Sequence, residues 1–248
     1  EFKGDLRLRN EQYNPKWNIF NYYHYPRIRF RLKGKRTLSD KATVKFGLAT
    51  GGLNRRSTNQ TLGPGYKTPD IGLDYVFLNY KLTNKLILLG GKINNPLYRP
   101  SDLLWDSDIN PDAVSFIYKS NTQLKWLDIF VNGLFSTLGR REDKVNGSVI
   151  NISNPILVTI QTGVKIALNN NFSWDFGLGY CQTNSLHGEK SKPNGKADYV
   201  GVGSNQTLND FLPIILSSHI DIFDQLGVQM IRPYGELVVN LNESDSNK

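Results

Sequence analysis

The feature that most constrains this chain is an alternation of apolar and polar residues with a period of two. From Arg27 to Lys33, apolar side chains occupy the even positions and cations occupy the odd positions. A period of two is that of a β-strand with one apolar and one polar face. The same alternation is present in segments 5–9, 43–49, 75–82, 160–166, 173–180 and 219–222. The chain is therefore predicted to be all-β.

Two further segments, 86–92 and 124–135, are apolar at both odd and even positions, so the alternation does not assign their faces. With these segments included, the chain is predicted to form about eleven strands. Most of them approach the roughly 9–11 residues that a tilted strand needs to cross a bilayer.

The connections between these segments alternate strictly between short and long. Short turns are predicted at 37–40, 83–85, 120–122, 169–171 and 224–226, and long polar connections at 12–25, 51–72, 94–112, 137–155 and 182–209. Outer-membrane barrels have short periplasmic turns and long outer loops, whereas β-sandwiches follow no such rule. The pattern predicts a transmembrane antiparallel up-and-down β-barrel in the bacterial outer membrane, formed as one domain by residues 1–248.

The composition is compatible with this fold. The mean hydropathy is -0.41, which by itself resembles that of a soluble protein. In a membrane barrel, however, only every second residue of a strand meets lipid. No run approaches the roughly 18 apolar residues of a membrane helix, so a membrane-spanning form of this chain would have to be a closed barrel.

The odd strand number predicts that the chain does not close a barrel alone. Single-chain bacterial barrels have an even number of strands. The eleventh strand, at about 228–241, is expected to end at the rim opposite Glu1, with 242–248 beginning another long loop. The chain is therefore expected to be a C-terminally truncated part of a barrel of about 14–18 strands.

Several motifs resemble a known family. Segments 5–9, 27–32 and 46–51 resemble the opening strands of the putative porin family of Gram-negative bacteria, and the resemblance continues through 57–62, 91–96 and 103–111. It covers roughly the first half of the chain and fades after about Asp112. The resemblance implies an outer-membrane channel. The chain lacks the C-terminal aromatic residue that usually serves barrel assembly, which agrees with the expected truncation.

The charged and apolar faces of the strands give two sets of candidate residues. A charge on the lipid face at mid-depth would cost about 2–4 kcal/mol, so the cations are expected to face the lumen. They either form a basic ladder that selects anions, or solvate the wall and pair with inward acids such as Asp5 and Asp175. The predicted ladder comprises Arg7, Arg9, Arg27, Arg29, Arg31, Lys33, Lys45 and Lys165. The predicted lipid-facing residues are Ile28, Phe30, Leu32, Phe46, Leu48, Trp174, Phe176 and Leu178.

The acidic segment 102–112 is the candidate for a constriction. In porins one long loop can fold into the pore, where its carboxylates would face a basic wall. The candidate constriction residues are Asp102, Trp105, Asp106 and Asp108, and an ordinary surface loop is the alternative. The spacing of Asp106, Asp108, Asn110 and Asp112 also resembles the start of a calcium loop, but Pro111 stands where that motif needs glycine.

Other functional classes find little support in the sequence. The three histidines show no metal-binding spacing, so no enzyme, metal or cofactor is predicted. The net charge of +8 does not indicate nucleic acid, because the cations alternate with residues that face a hydrophobic medium.

We expect a porin for passive diffusion of small hydrophilic solutes, weakly selective for anions. The alternative is a structural or adhesive barrel whose outer loops bind a partner. Expected partners are membrane lipid, small solutes, and either further copies of the chain or other envelope proteins.

Overall fold

The computed structural model describes residues 1–13, 23–51, 57–63, 68–102, 105–121, 124–139, 141–145, 148–184, 213–225 and 228–241. The strands are β1 (Phe2–Tyr13), β2 (Tyr23–Thr37), β3 (Ala42–Thr50), β4 (Gln60–Thr61), β5 (Ile71–Lys81), β6 (Leu86–Lys92), β7 (Asp112–Asn121), β8 (Leu127–Thr137), β9 (Arg141–Val145), β10 (Ser148–Ser153), β11 (Ile156–Asn169), β12 (Phe172–Asn184), β13 (Pro213–Gln225), β14 (Val228–Ile231) and β15 (Tyr234–Asn240). No helix within these ranges is long and apolar enough to cross a membrane.

The long strands form one antiparallel sheet in which each pairs with its neighbours in the chain. The order is β1-β2-β3-β5-β6-β7-β8-β11-β12-β13, and both β14 and β15 pair with β13. β4 pairs with β2, and β9 and β10 form a separate hairpin. The predicted all-β, antiparallel up-and-down architecture is confirmed.

The eleventh predicted strand is present but interrupted. β14 and β15 lie along the same edge of β13 and are separated by Arg232 and Pro233. Proline cannot donate a hydrogen bond to a strand ladder, so the interruption falls at the residue that cannot continue the pairing. The short strands β4, β9 and β10, of 2, 5 and 6 residues, were not predicted. They lie inside long connections and are too short to show a clear alternation.

The described strands do not close into a barrel. β1 pairs only with β2, and β14 and β15 pair only with β13. This agrees with the expectation that these strands alone do not complete the wall. Glu1 bonds to Lys35 near the short-turn rim, whereas Asn240 pairs with Pro213 at the long-connection rim. Residues 242–248, expected to begin another loop, lie outside the described residues.

Two long connections have bounds that differ from those expected. β1 and β2 remain paired as far as Tyr13 and Tyr23, which reduces the first predicted connection from 12–25 to 14–22. β12 extends to Asn184 and β13 begins at Pro213, so the last predicted connection shifts from 182–209 to 185–212 and keeps its length. Both 14–22 and 185–212 lie outside the described residues. The predicted boundaries were wrong because polar residues near a rim can continue the backbone pairing without showing an apolar alternation.

The sheet has two unlike faces. The described residues of the connection from β6 to β7, 93–102 and 105–111, lie against one of them; we call them the crossing loop and this face the covered face. The other, bare face carries exposed apolar side chains, among them Leu8, which is 73% exposed, and Leu178, which is 42% exposed. Alternate residues of each strand therefore meet different surroundings.

An apolar cluster holds the crossing loop to the middle of the sheet. Ile93 and Leu97 of the loop are 0% and 6% exposed. They pack with side chains of the covered face, namely Tyr75, Phe77, Leu89, Leu134 and Leu157. This packing explains why segments 86–92 and 124–135 carry apolar residues at both odd and even positions, since one face is bare and the other supports the loop.

Aromatic rings lie directly over glycines of adjacent strands. A Cβ atom added to Gly133 would lie 2.1 Å from the Phe116 ring, and one added to Gly163 would lie 2.2 Å from the Phe130 ring. Phe46 over Gly34 and Tyr75 over Gly47 repeat the arrangement, each at 2.4 Å. The glycines thus make room for the rings.

Candidate functional site

The basic part of the covered face is formed by β1, β2 and β3. The register places Arg7 opposite Arg29 and Arg9 opposite Arg27. Lys33 lies opposite Gly47, two residues from Lys45. Because alternate residues share a face, the structure brings seven of the eight proposed ladder residues together on one side of the sheet.

Carboxylates partly neutralise four arginines of this ladder. Asp5 accepts from Arg31 at 2.7 Å and lies 3.0 Å from Arg29. Glu11 lies 2.8 Å from Arg27 and 3.1 Å from Arg9. The pairing that was considered as an alternative to anion selection is therefore present for these four arginines. Each carboxylate serves two of them, so a net positive charge remains.

The three remaining cations of this group differ. Among the described residues, neither Lys33 nor Lys45 forms a salt bridge with a carboxylate, and the Lys45 ammonium lies 5.9 Å from the centre of the Phe77 ring. Arg7 donates a hydrogen bond to the amide oxygen of Asn59 instead of pairing with an acid. These three side chains carry the least compensated charge of the ladder.

Lys165 does not join the other seven. It lies on β11, at the far part of the covered face, where its ammonium is 2.6 Å from the Asp175 carboxylate. Its position on this face agrees with its phase in the sequence, but its charge is paired locally.

Of the four proposed constriction residues, Asp108 is the one placed against the ladder. Its carboxylate accepts from the backbone N–H and the hydroxyl of Thr58 at 3.0 and 3.2 Å. It also lies 3.9 Å from the Arg31 guanidinium. The Asp108 side chain is only 14% exposed, so this end of the crossing loop is held close to the wall.

The other three proposed constriction residues have different surroundings. Trp105 packs against the apolar cluster, and Asp102 accepts from Ser107 at 3.3 Å. Asp106 accepts from the backbone N–H of Asp108 at 2.9 Å. Among the described residues, these contacts do not reach the arginines of the ladder.

The side chains of the calcium-like spacing bond to separate partners. Asn110 donates to Asp74 at 2.7 Å and accepts from Asn94 at 2.8 Å, while Asp112 lies 3.8 Å from Lys92. Within the described part of the chain, no group of three or more His, Cys, Asp or Glu residues could hold a metal ion.

The far part of the covered face, on β11, β12, β13 and β15, holds the other end of the crossing loop. Tyr98 reaches His219, with 2.7 Å between the hydroxyl and Nδ1, and Ser101 donates to the Glu236 carboxylate. The sequence did not single out Tyr98, Ser101 or Glu236 as functional residues, and His219 was considered only as one of three histidines without metal-binding spacing. No local motif marks them, because the contact joins residues 121 positions apart.

The eight residues proposed to face lipid all lie on the bare face. The register pairs Leu32 with Leu48 and Val164 with Phe176 across adjacent strands. The Trp174 indole donates to Ser218 at 2.7 Å on the same face. Contact of these side chains with lipid stays a prediction.

The sequence model of the putative porin family matches residues 2–211. The chain belongs to the putative porin family. The match extends well past Asp112, where the resemblance seen in individual motifs ended. Membership implies a channel and not an enzyme, and suggests location in the outer membrane. A search of curated protein sequences found no match.

Proposed function

We propose that this protein is an outer-membrane porin through which small hydrophilic solutes diffuse passively, with weak selectivity for anions. The bare face would meet lipid and the covered face would line the lumen. In this orientation the short turns are periplasmic and the long connections extracellular. The observation that carries the proposal is the crossing loop, which lies over a polar and basic wall within a chain of the porin family.

The weak selectivity follows from the distribution of charge. Arg31 and Asp108 meet where the crossing loop approaches the basic strands, and Lys33 is the next residue on the covered face toward the short-turn rim. A field from these cations falls off within about 10 Å at 0.1 M salt, so it acts only where the passage is narrow. Partial neutralisation by Asp5 and Glu11 argues for a weak preference and against strict exclusion of cations.

Planar bilayer recordings of the full-length protein under a KCl gradient test both parts of the proposal. We expect ohmic channels whose reversal potential has the sign of anion preference. Arg29→Glu combined with Arg31→Glu should reverse that sign, because four units of charge change at the wall of the narrowest part.

The matched control is Lys41→Glu combined with Lys85→Glu, which changes the net charge equally at exposed turn positions. It should leave the reversal potential nearly unchanged. Absence of conductance would refute the channel and favour an adhesive barrel. A channel indifferent to the arginine changes would instead show that the ladder only solvates the wall.

A further inference from the structure

We propose that Tyr98 is a positioning residue that locks the crossing loop into a socket formed by Gln161, Gly177 and His219. The proposal rests on the proposed function, since a fixed loop gives a porin a constant constriction. The contacts that hold the loop in this proposal carry no net charge, and they lie on the part of the covered face opposite the arginines.

The first element of the socket is a pair of hydrogen bonds to the loop backbone. The Gln161 side-chain carbonyl accepts from the Tyr98 N–H at 2.6 Å, and its amide donates to the Tyr98 carbonyl at 2.9 Å. Gln161 is only 4% exposed, so both ends of a buried side chain are used on one loop residue. Because both ends of the amide find partners, docking of the loop leaves neither of them buried and unpaired, which would otherwise oppose docking.

The second element is the space above Gly177. A Cβ atom at this position would lie 2.8 Å from the Tyr98 ring, closer than such atoms can approach. The ring also packs beside Phe130, with 5.6 Å between the ring centres. Gly177 thus supplies room that any other residue would fill.

The third element is the hydroxyl group. Tyr98 lies 2.7 Å from Nδ1 of His219, and its hydroxyl also lies 3.3 Å from the Asp175 backbone carbonyl. Burial, followed by the negative charge of Asp175, raises the pKa of Tyr98, so the hydroxyl keeps its proton and can donate it.

The surroundings of His219 favour Nδ1 as the acceptor of the hydrogen bond from Tyr98. Nε2 of His219 lies 3.6 Å from the Asp221 carboxylate and 3.9 Å from that of Asp175. Two carboxylates on this side favour a proton on Nε2 and leave Nδ1 as the acceptor for Tyr98. Asp221 is held in turn by Arg232, at 2.7 Å.

Loop docking can be measured independently of conduction. Leu97 lies on the side of the loop that packs against the sheet and is 6% exposed. A Leu97→Cys variant should therefore react slowly with a maleimide while the loop is docked. A parent protein containing only Cys181, which is buried, gives the background rate. Heat-modifiable gel mobility reports whether the barrel has assembled.

In this background, Gly177→Ala should raise the labelling rate roughly tenfold, because overpacking of this kind shifts such an equilibrium by about that factor. Gly179→Ala is the matched control, since its new Cβ would come no closer than 3.6 Å to its neighbours. In a Tyr98→Ala background, Gly177→Ala should add nothing, because the ring that it displaces is gone.

Tyr98→Ala removes side-chain atoms and requires no additional space in the wall. It therefore still tests the proposal if Gly177→Ala fails to assemble. It should raise the labelling rate, and Tyr98→Phe should raise it less. A rate unchanged by Tyr98→Ala, or a Gly177→Ala effect that persists in the Tyr98→Ala background, would overturn the lock. Loss of conductance in the parent with normal labelling would refute the proposed function alone.

Discussion

On β1, β2 and β3 the covered face presents a cluster of arginines and lysines, whereas on β11, β12, β13 and β15 it presents histidine, amides, hydroxyls and paired charges. The crossing loop meets both regions. Asp108 approaches the basic side through an ionic contact at 3.9 Å. Tyr98 meets the other side through hydrogen bonds of 2.6 to 2.9 Å to Gln161 and His219.

The two regions make different kinds of contact with the loop, and these contacts differ in how they respond to salt. Ionic contacts between partly exposed side chains are weak and are screened by salt. Buried hydrogen bonds and steric packing depend much less on ionic strength. We infer that the basic side influences which solutes pass, while the opposite side determines where the loop lies.

The largest expected effect concerns the bare face, where the two regions should behave alike. Phe30→Arg beside the basic region and Phe176→Arg beside the other should both block assembly. Each places a charge toward lipid at a cost of about 2–4 kcal/mol. Heat-modifiable gel shifts measure assembly, and Arg29→Phe on the covered face is the control that should still fold. Similar behaviour of all three variants would show that the faces have been assigned wrongly.

An intermediate effect is expected from salt, which should act on one region only. Raising KCl from about 0.1 M to about 1 M shortens the screening length from about 10 Å to about 3 Å. The anion preference measured by reversal potential should then fall toward zero. Maleimide labelling of Leu97→Cys should stay slow under the same conditions, since the Tyr98 socket contains no ion pair to the loop. Faster labelling at high salt would mean that ionic contacts hold the loop.

The smallest expected effect is that of Asp108→Asn. The amide oxygen can still accept from Thr58, so only the attraction to Arg31 is lost. An ion pair of this kind contributes about 0.2–1 kcal/mol. Labelling of Leu97→Cys should therefore rise by no more than about fivefold, less than with Gly177→Ala. A larger rise in the labelling rate would show that the principal contacts holding the loop are on the basic side.

The strands and the basic ladder could be predicted because alternation is a local property. Arg27 to Lys33 shows its two faces within seven residues of sequence. The faces of 86–92 could not be assigned, because Leu89 supports Ile93 and Leu97 of a loop that covers it only in the folded structure. Tyr98 could not be identified either, since its socket joins β11, β12 and β13, which follow it far along the chain. The acidic segment drew attention by composition, yet among its four candidate residues only Asp108 meets an arginine of the ladder.

The rings that lie over glycines bear on how the strands find their partners during assembly. A slip of one residue between two strands exchanges the faces and is opposed by the whole alternating pattern. A slip of two residues keeps every apolar side chain on its own face, so alternation cannot distinguish it from the correct alignment. Displacing Phe116 from Gly133, or Phe130 from Gly163, would instead drive a ring against a side chain. These glycines therefore favour the correct alignment over a slip of two residues, an error that the alternation alone does not oppose.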